Sequence, residues 1–188
     1  MIIGLTGYAR SGKDTVAKSL RLRGGFRRIA FADKLKDLAL RLDPIVGVES
    51  LSGDLFFTRV QELVDSQGWE DAKKQHDVRH LLQRLGNEAR EVLGDNVWVE
   101  AVRGQLLTYI SENKNVVFTD VRYENEAQLV HAYGGKMVRV VRPNVQALNN
   151  HVTETNVDLI SVDDTIMNDG TINDLGAKVT ELLRKYGA

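Results

Sequence analysis

Two glycines and a lysine near the start of the chain limit its fold more than any other feature. Gly7 and Gly12 are separated by four residues and followed by Lys13, soon after the apolar run Ile2–Thr6. A short run of this kind predicts a buried strand, and the residues after Lys13 follow helical spacing. Two glycines so spaced, with a lysine at a strand-to-helix junction, are typical of a loop that binds phosphate.

The electrostatics of such a loop explain these residue types. Glycines let the backbone N–H groups turn around a phosphate, the helix N-terminus contributes its positive end, and Lys13 reaches the outer phosphates. The usual serine or threonine after the lysine, which binds magnesium through its hydroxyl, is replaced by Asp14, and Thr15 follows. Asp14 is therefore either a magnesium ligand, directly or through water, or an acid in the first turn of a helix.

A second acidic candidate follows the apolar run Val116–Phe118. Asp120 ends this predicted strand, as the acid of the second magnesium-associated motif does in phosphate-loop proteins. Arg122 lies two residues further on and suits bidentate binding of a second phosphate. The sequence leaves open whether Asp14 or Asp120 binds the metal.

The spacing of apolar residues predicts strands that alternate with helices along the chain. Predicted strands cover Ile2–Thr6, Arg28–Phe31, Asn115–Thr119, Lys136–Val141 and Thr165–Met167. Predicted helices cover 12–22, a segment capped by Asp33 and ended by Pro44, 78–93, a segment capped by Asp95 or Asn96, 124–133 and 172–186. This alternation predicts an α/β fold with a central, mostly parallel sheet flanked by helices, and ligands at the carboxyl ends of the strands.

Two stretches lack a regular pattern. Residues 43–77 contain scattered glycines and mixed polarity, which predicts a mobile insertion with at most a short helix near Arg59–Val64. Residues 143–160 form a polar, lid-like connection without lysine or arginine before Asp158. Neither stretch shows the composition of a separate domain, so we expect one domain over 1–188.

Composition excludes several classes of function. The chain has no cysteine, which excludes disulfides, thiolate metal sites and a cysteine nucleophile. A net charge of −1 argues against general nucleic-acid binding, and no apolar stretch approaches membrane-spanning length. The chain also begins without a signal-like leader, so the cytoplasm is the expected compartment. The first 42 residues carry ten Lys/Arg against three Asp/Glu, which favours an anionic ligand near this end.

Seven stretches of sequence together point to a known family. The chain resembles the deoxynucleoside monophosphate kinases of bacteriophages, a branch of the P-loop nucleotide kinases. The matching stretches are GYARSGKDTVA at 7–17, FADKLKDLA at 31–39, LLQRLGNEARE and VLGDNVWVEAV at 81–102, FTDVRYENEA at 118–127, GGKMVRVVRP at 134–143, and HVTET with MNDGTINDL toward the end. The GKDT variant at Asp14 belongs to this pattern.

The resemblance implies a three-layer P-loop kinase fold and transfer of the γ-phosphoryl group of ATP to a deoxynucleoside monophosphate, with Mg²⁺. It implies an enzyme of the cytoplasm, of the host cytoplasm if a phage encodes it, that acts on a small nucleotide and on neither nucleic acid nor membrane. Whether the chain forms a homodimer stays open. The residues expected to bind ATP are Gly7, Ala9, Arg10, Ser11, Gly12, Lys13, Asp14, Thr15 and Arg142.

For the acceptor, a looser comparison with adenylate-type kinases implies that Arg122 grips its phosphate and Glu126 reads its base. The remaining candidates for substrate binding are Asp33, Lys34, Arg84, Trp98 and Asp120, and those for catalysis are Lys13, Arg122, Arg84 and Arg90. Two of these have plain structural alternatives, because Asp33 could cap a helix and Trp98 could belong to the core.

The lid of adenylate-type kinases supplies arginines that are missing here. Only Arg142 and His151 are candidates in this segment, so the positive charge is expected from the helix that carries Arg84 and Arg90. Arg142 could instead stack on the adenine of ATP, and His151 could be a solvated loop residue.

Two alternatives to the deoxynucleotide kinase remain. One is another small-molecule kinase with the same loop, such as dephospho-coenzyme A kinase. The other is a noncatalytic protein that binds a nucleotide without an acceptor, although Arg122 and Glu126 would then have no explanation.

Overall fold

The computed structural model describes residues 1–143, 145 and 156–187, which form two compact units. The first unit comprises Met1–Phe31 and the chain from Val99 onward, and the second comprises Ala32–Trp98. His151 and most of the lid-like segment lie outside the described residues.

A five-stranded sheet forms the centre of the first unit. Its strands are β1 (Ile2–Thr6), β2 (Arg27–Ile29), β5 (Val116–Phe118), β6 (Lys136–Val141) and β7 (Asp164–Met167). All neighbours are parallel in the order β2-β5-β1-β6-β7. The middle strand β1 is buried along its whole length, as expected for a parallel sheet covered on both faces. The predicted α/β architecture is confirmed.

Four helices belong wholly or mainly to this unit. They are α1 (Lys13–Gly24), α5 (Val97–Ser111), α6 (Glu124–Ala132) and α7 (Ile172–Tyr186). Helices α1 and α7 pack on the sheet through a shared core that includes Val16, Leu20, Val179 and Leu183. The side chain of Thr171 caps α7 by accepting a hydrogen bond from the backbone N–H of Asp174. The core thus fixes α1, and with it the loop at its start.

The second unit contains a two-stranded antiparallel sheet and three helices. These elements are β3 (Ile45–Leu51), β4 (Asp54–Arg59), α2 (Phe31–Leu42), which starts in the first unit, α3 (Val60–Ala72) and α4 (His76–Leu93). Its core gathers Val46, Val60, Leu63, Ala72 and Val78. The prediction of an irregular stretch over 43–77 is therefore wrong, because a hairpin and a helix occupy most of it.

Helix α2 corrects a second prediction. It begins at Phe31, so Asp33 lies inside its first turn and does not cap it. The carboxylate of Asp120 accepts a hydrogen bond from the backbone N–H of Phe31 at 3.0 Å instead. A carboxylate from another element thus satisfies an N–H group that the first turn leaves unpaired. Within the described part of the chain, no helix is long and apolar enough to cross a membrane.

Candidate functional site

The loop between β1 and α1 makes close backbone contacts that require its two glycines. A Cβ on Gly7 would lie 2.4 Å from the carbonyl oxygen of Val140 in β6, and Gly7 has a φ of 138°. A Cβ on Gly12 would lie 2.4 Å from the side-chain nitrogen Nδ2 of Asn168, and Gly12 has a φ of 106°. Side chains at either position would clash and strain the backbone. The glycine spacing is therefore required by this path of the chain.

Lys13 folds back over the loop. Its Nζ donates hydrogen bonds to the carbonyl oxygens of Gly7 and Tyr8 at 2.7 and 2.6 Å. The same Tyr8 carbonyl accepts the backbone N–H of Ser11 at 3.2 Å. The positive charge of Lys13 is thus held at the loop by neutral backbone acceptors.

The loop contains a buried hydroxyl without a partner among the described residues. Ser11 is 1% exposed, and its Oγ has no hydrogen-bond partner among the described residues. A buried polar atom of this kind costs stability unless a ligand or water pairs with it. Together with the start of α1 at Lys13, this hydroxyl makes the loop fit an oxyanion such as a phosphate.

Asn168 supports the loop from the far end of the sequence. It follows β7, and its Nδ2 donates to the carbonyl oxygen of Ser11 at 2.9 Å. Its own backbone N–H bonds to the carbonyl of Val141 at 2.7 Å, which fixes its position. Sequence reasoning missed this residue, although Asn168 directly follows a strand whose carboxyl end was expected at the site.

Tyr8 is a second residue that the sequence analysis missed. Its hydroxyl donates to the carboxylate of Asp158, 150 residues away. A tyrosine inside a glycine-flanked loop is a visible signal, but its partner could not be identified from the pattern.

Asp120 follows the carboxyl end of β5, the strand that pairs with β1, as predicted. Its backbone lies two residues beyond β5, and its carboxylate binds the N–H of Phe31. Phe31 also stacks on Phe118 with ring centroids 5.3 Å apart. Asp120 therefore connects the end of β5 to the start of α2.

Arg122 and Glu126 are coupled through the backbone. The Oε2 of Glu126 accepts the backbone N–H groups of Arg122 and Tyr123 at 2.8 and 3.2 Å. Glu126 is only 2% exposed, whereas Arg122 is half-buried. This geometry lets Glu126 hold the segment that carries Arg122, and a role in reading the base stays a prediction.

The other predicted loop residues lie where the sequence placed them, beside Gly12 and Lys13. Arg10 is exposed and has a left-handed φ of 64°. Asp14 is in the first turn of α1 and exposed, and Ala9 and Thr15 are partly exposed. Arg142 is exposed directly after β6. Their contacts with a nucleotide stay predictions.

Five predicted residues belong to the second unit. Asp33 and Lys34 lie in the first turn of α2, and Arg84 and Arg90 lie in α4. The guanidinium of Arg90 donates to the backbone carbonyl of Asp95 at 3.0 Å. Trp98 is 6% exposed, and its indole N–H donates to the carbonyl of Gly86 at 3.1 Å. Trp98 thus has the contacts of a core residue.

Arg84 lines a groove within the second unit. The groove has a volume of about 720 Å³ and lies between β3 and α4. Its lining combines apolar and charged side chains: Ile45, Val46, Val48, Leu81, Leu85, Asp77, His80, Arg84 and Glu88. The groove is open to solvent, and four of these nine side chains are ionisable.

The acids of the described residues do not form a complete metal cage. No group of three or more His, Cys, Asp or Glu side chains in this part of the chain could hold a metal ion. Magnesium at phosphate sites is commonly held by one or two carboxylates, substrate phosphates and water. Single acids such as Asp14 or Asp120 therefore fit a magnesium that arrives with a nucleotide.

The chain matches a known protein family over most of its length. The sequence pattern of the deoxynucleotide monophosphate kinase family matches residues 47–179. This range contains β5, β6, β7 and most of the second unit.

Individual relatives carry the same or a related name. A deoxynucleotide monophosphate kinase of Escherichia phage RB69 is 31% identical over 109 residues, which are 57% of this chain and 45% of that protein. The corresponding kinase of Enterobacteria phage T4 is 25% identical over 130 residues, 68% of this chain and 52% of that protein. A protein of Acanthamoeba polyphaga mimivirus, provisionally named for the same activity, is 27% identical over 191 residues. The matched region is 95% of this chain and 94% of that protein. The chain spans about half the length of the two phage relatives.

Among solved structures, a dephospho-CoA kinase from Campylobacter jejuni is similar over 98% of this chain and 96% of its own, with a TM-score of 0.53. The sequence identity is 16%, so the likeness concerns the fold alone. It confirms the predicted three-layer fold of P-loop kinases.

Proposed function

Because this chain belongs to the deoxynucleotide monophosphate kinase family, we propose that it transfers the γ-phosphoryl group of ATP to a deoxynucleoside monophosphate, giving the diphosphate and ADP. The observation that carries the proposal is the loop of the first unit. It combines three features: the folded-back ammonium of Lys13, the buried Ser11 hydroxyl that has no partner among the described residues, and the N-terminus of α1. A triphosphate would pair with all three.

On this proposal Lys13 leaves the loop carbonyls and binds the outer phosphates of ATP. Gly7, Gly12 and Ser11 supply the cradle, and the exposed Arg142 contacts the nucleoside part of ATP. Exchanging a neutral carbonyl for a phosphate oxygen strengthens the hydrogen bonds of an ammonium group. The donor is thereby aligned by groups that the fold already holds in place.

The acceptor phosphate is assigned to Arg122. Glu126 supports it by bonding the backbone N–H of Arg122, so the guanidinium is presented from a fixed backbone. In the second unit, Arg84 is assigned to the acceptor because it lines a groove with apolar walls. Asp33, Lys34 and Arg90 are further acceptor-side candidates.

The chemistry needs alignment and charge neutralisation more than a base. The acceptor phosphate is an anionic oxygen nucleophile near neutral pH, so no side chain has to remove a proton from it. Negative charge spreads over the transferring group, and Lys13 with Arg122 offsets it. Magnesium, held by Asp14 or Asp120 with the phosphates, would neutralise further charge on the donor.

The same proposal defines the setting of the reaction. A small nucleotide is the substrate, and the enzyme acts in the cytoplasm, in that of the host if a virus encodes it. The acidic pI of about 6.4 agrees with a small-molecule substrate in preference to nucleic acid.

The experiment that tests the proposal is a coupled assay of ATP consumption with magnesium. The acceptor panel contains dAMP, dGMP, dCMP, dTMP, their ribose counterparts and dephospho-coenzyme A. Stimulation by one or more deoxynucleotides is expected. Stimulation by dephospho-coenzyme A alone would assign a different acceptor class, and ATP binding without any stimulation would indicate a noncatalytic binding protein.

A further inference from the structure

The phosphate loop is joined to a distant segment through the side chain of Tyr8. This tyrosine is the first residue after Gly7, and its hydroxyl donates to the carboxylate of Asp158. Asp158 belongs to a short 3₁₀ helix, Asn156–Leu159, that precedes β7. Neither residue belongs to the glycine and lysine pattern that defines the loop.

The segment around Asp158 is itself held by a strand beside the loop. The Nη2 of Arg139 in β6 donates to the carbonyl oxygens of Val157, Asp158 and Ile160 at 3.1, 3.4 and 2.7 Å. Arg139 is the neighbour of Thr6 in the pairing of β6 with β1. One guanidinium therefore fixes three carbonyls of the segment against the strand pair from which the loop leaves.

These contacts form a closed path around the loop. It runs from Thr6 through Tyr8 to Asp158, then through Arg139 and back to Thr6 across the sheet. Only one member of this path, the bond between Tyr8 and Asp158, joins two side chains. That bond is the contact of the path that reaches the loop itself, and a substitution of either side chain removes it.

The backbone of Tyr8 is where two groups for phosphate converge. Its carbonyl accepts both the Nζ of Lys13 and the N–H of Ser11. Before a ligand binds, the position of Tyr8 thus sets where the ammonium waits, and it fixes the Ser11 N–H as well. A loop that is already ordered binds its ligand with a smaller loss of conformational entropy.

We propose that the hydrogen bond between Tyr8 and Asp158 is a positioning contact that keeps the phosphate loop in its ligand-binding shape, with Arg139 fixing the segment that carries Asp158. Neither Tyr8 nor Asp158 touches the reacting atoms on this account. The inference rests on the proposed function, since it takes ATP as the ligand of the loop.

The test measures binding without turnover, by calorimetric titration of ATP and of inorganic tripolyphosphate in the absence of acceptor. Tyr8→Phe removes only the hydroxyl and is expected to raise the Kd for both ligands by up to about tenfold. The loss of one hydrogen bond lowers the population of the binding-competent loop by no more than this factor. Asp158→Ala is expected to have the same effect. Asp158→Asn keeps a neutral acceptor oxygen, so it is expected to lose less affinity than Asp158→Ala. In steady state, the KM for ATP should rise while the KM for the acceptor stays unchanged.

A matched control is available in the same unit. The hydroxyl of Tyr186 donates to the carboxylate of Asp164 at 2.5 Å, so Tyr186→Phe removes the same kind of bond in α7. This variant is expected to lose stability without a change in the Kd for ATP. The double variant Tyr8→Phe with Asp158→Ala should bind no more weakly than either single variant, because both changes break one bond.

Three results would overturn the inference. They are an unchanged Kd in Tyr8→Phe, additive losses in the double variant, and a loss for ATP with none for tripolyphosphate, which would mean direct contact with the nucleoside. The proposed function is judged separately by Lys13→Ala. If Lys13→Ala loses ATP binding while Tyr8→Phe does not, only the positioning role fails, whereas undiminished binding in Lys13→Ala would overturn both.

Discussion

Asn168 donates a hydrogen bond from its side-chain amide to the backbone carbonyl of Ser11 at 2.9 Å. The two residues are 157 positions apart in the chain. Because the same amide occupies the space that a Cβ on Gly12 would need, glycine and asparagine fit together as a pair. The end of β7 thus supports the loop that follows β1.

We expect Asn168→Ala to weaken ATP binding by about three- to tenfold, the range for one lost hydrogen bond. Asn168→Asp should be worse, because its carboxylate would face a carbonyl oxygen and add negative charge near the phosphates. Calorimetric titration with ATP measures both variants.

Asn115 provides the control for this prediction. Its side-chain amide also donates to a backbone carbonyl, that of Gly24, at 3.0 Å. Asn115→Ala should lower the melting temperature and leave ATP affinity unchanged. Equal affinity in Asn168→Ala and the wild type would remove Asn168 from the site.

Local signals explain how much of this architecture the sequence could predict. The strands Ile2–Thr6 and Lys136–Val141 and the helix Ile172–Tyr186 have the predicted boundaries, because their apolar spacing is regular and turn residues flank them. The strands over 45–59 were missed, because they are mostly exposed and lack clear alternation of apolar and polar residues. Their register depends on cross-strand pairs such as Val48 with Phe57.

In the candidate site, too, residues of a local motif were predictable, and contacts between distant residues were not. Gly7, Gly12 and Lys13 form a short motif with its own chemistry, so the sequence predicts them directly. The hydroxyl of Tyr8 bonds to Asp158, and the backbone carbonyl of Ser11 accepts from Asn168. Each partner is about 150 residues away, and no local pattern links them. The cap of α2 was assigned to Asp33, whereas the partner of the Phe31 N–H is Asp120, 89 residues distant.

Lys13→Ala is expected to reduce the rate of phosphoryl transfer by about 100- to 1,000-fold, the effect of removing one preorganised group that stabilises charge. The fold should remain intact, because the ammonium donates its hydrogen bonds to the loop carbonyls of Gly7 and Tyr8 and Lys13 is partly exposed. Lys18→Ala is the matched control, since Lys18 lies exposed on the same helix. Undiminished turnover in Lys13→Ala, measured by ADP formation, would contradict the site assignment.

Arg122→Ala is expected to weaken use of the acceptor and to leave the Kd for ATP near the wild-type value. The guanidinium is assigned to the acceptor phosphate, and a lost charged hydrogen bond corresponds to about a tenfold or larger rise in KM. The KM for the best deoxynucleotide is measured at saturating ATP. An unchanged acceptor KM would exclude Arg122 from this role.

Substitutions of Glu126 distinguish a role in holding the backbone of Arg122 from a role in reading the base. Glu126→Ala leaves the N–H groups of Arg122 and Tyr123 without this acceptor, so it should destabilise the fold by about 1–3 kcal/mol and raise the acceptor KM. Glu126→Gln keeps an accepting oxygen and should restore much of both losses. Chemical denaturation and acceptor kinetics measure the two effects.

If Glu126 instead reads the base, Glu126→Gln should change the order of preference among the four deoxynucleotides at normal stability. A changed base preference would therefore contradict a purely positioning role. Glu126→Gln distinguishes base reading from positioning because it alters the donor and acceptor pattern of the side chain with little change in its shape.

The C-terminal helix is attached to β7 by a small polar cluster. Asp164 accepts hydrogen bonds from the Nζ of Lys185 at 2.7 Å and from the hydroxyl of Tyr186 at 2.5 Å. The bond from Lys185, followed by that from Tyr186, lowers the pKa of Asp164 below its usual 3.8. Burial, followed by the bond to Asp164, raises the pKa of Tyr186 to about 12.

The lowered pKa of Asp164 makes its contribution to stability dependent on pH. A carboxyl group whose pKa is lower in the folded protein stabilises the fold above its unfolded pKa of 3.8 and loses this effect as the pH falls through the lowered value. Asp164→Asn should therefore lower the free energy of unfolding by about 1 kcal/mol near neutral pH, a modest value because Lys185 is largely exposed. The difference from the wild type should narrow as the pH falls below 3.8. Urea denaturation at several pH values measures it, and a difference that stays constant across this range would show that the charge of Asp164 does not stabilise the helix.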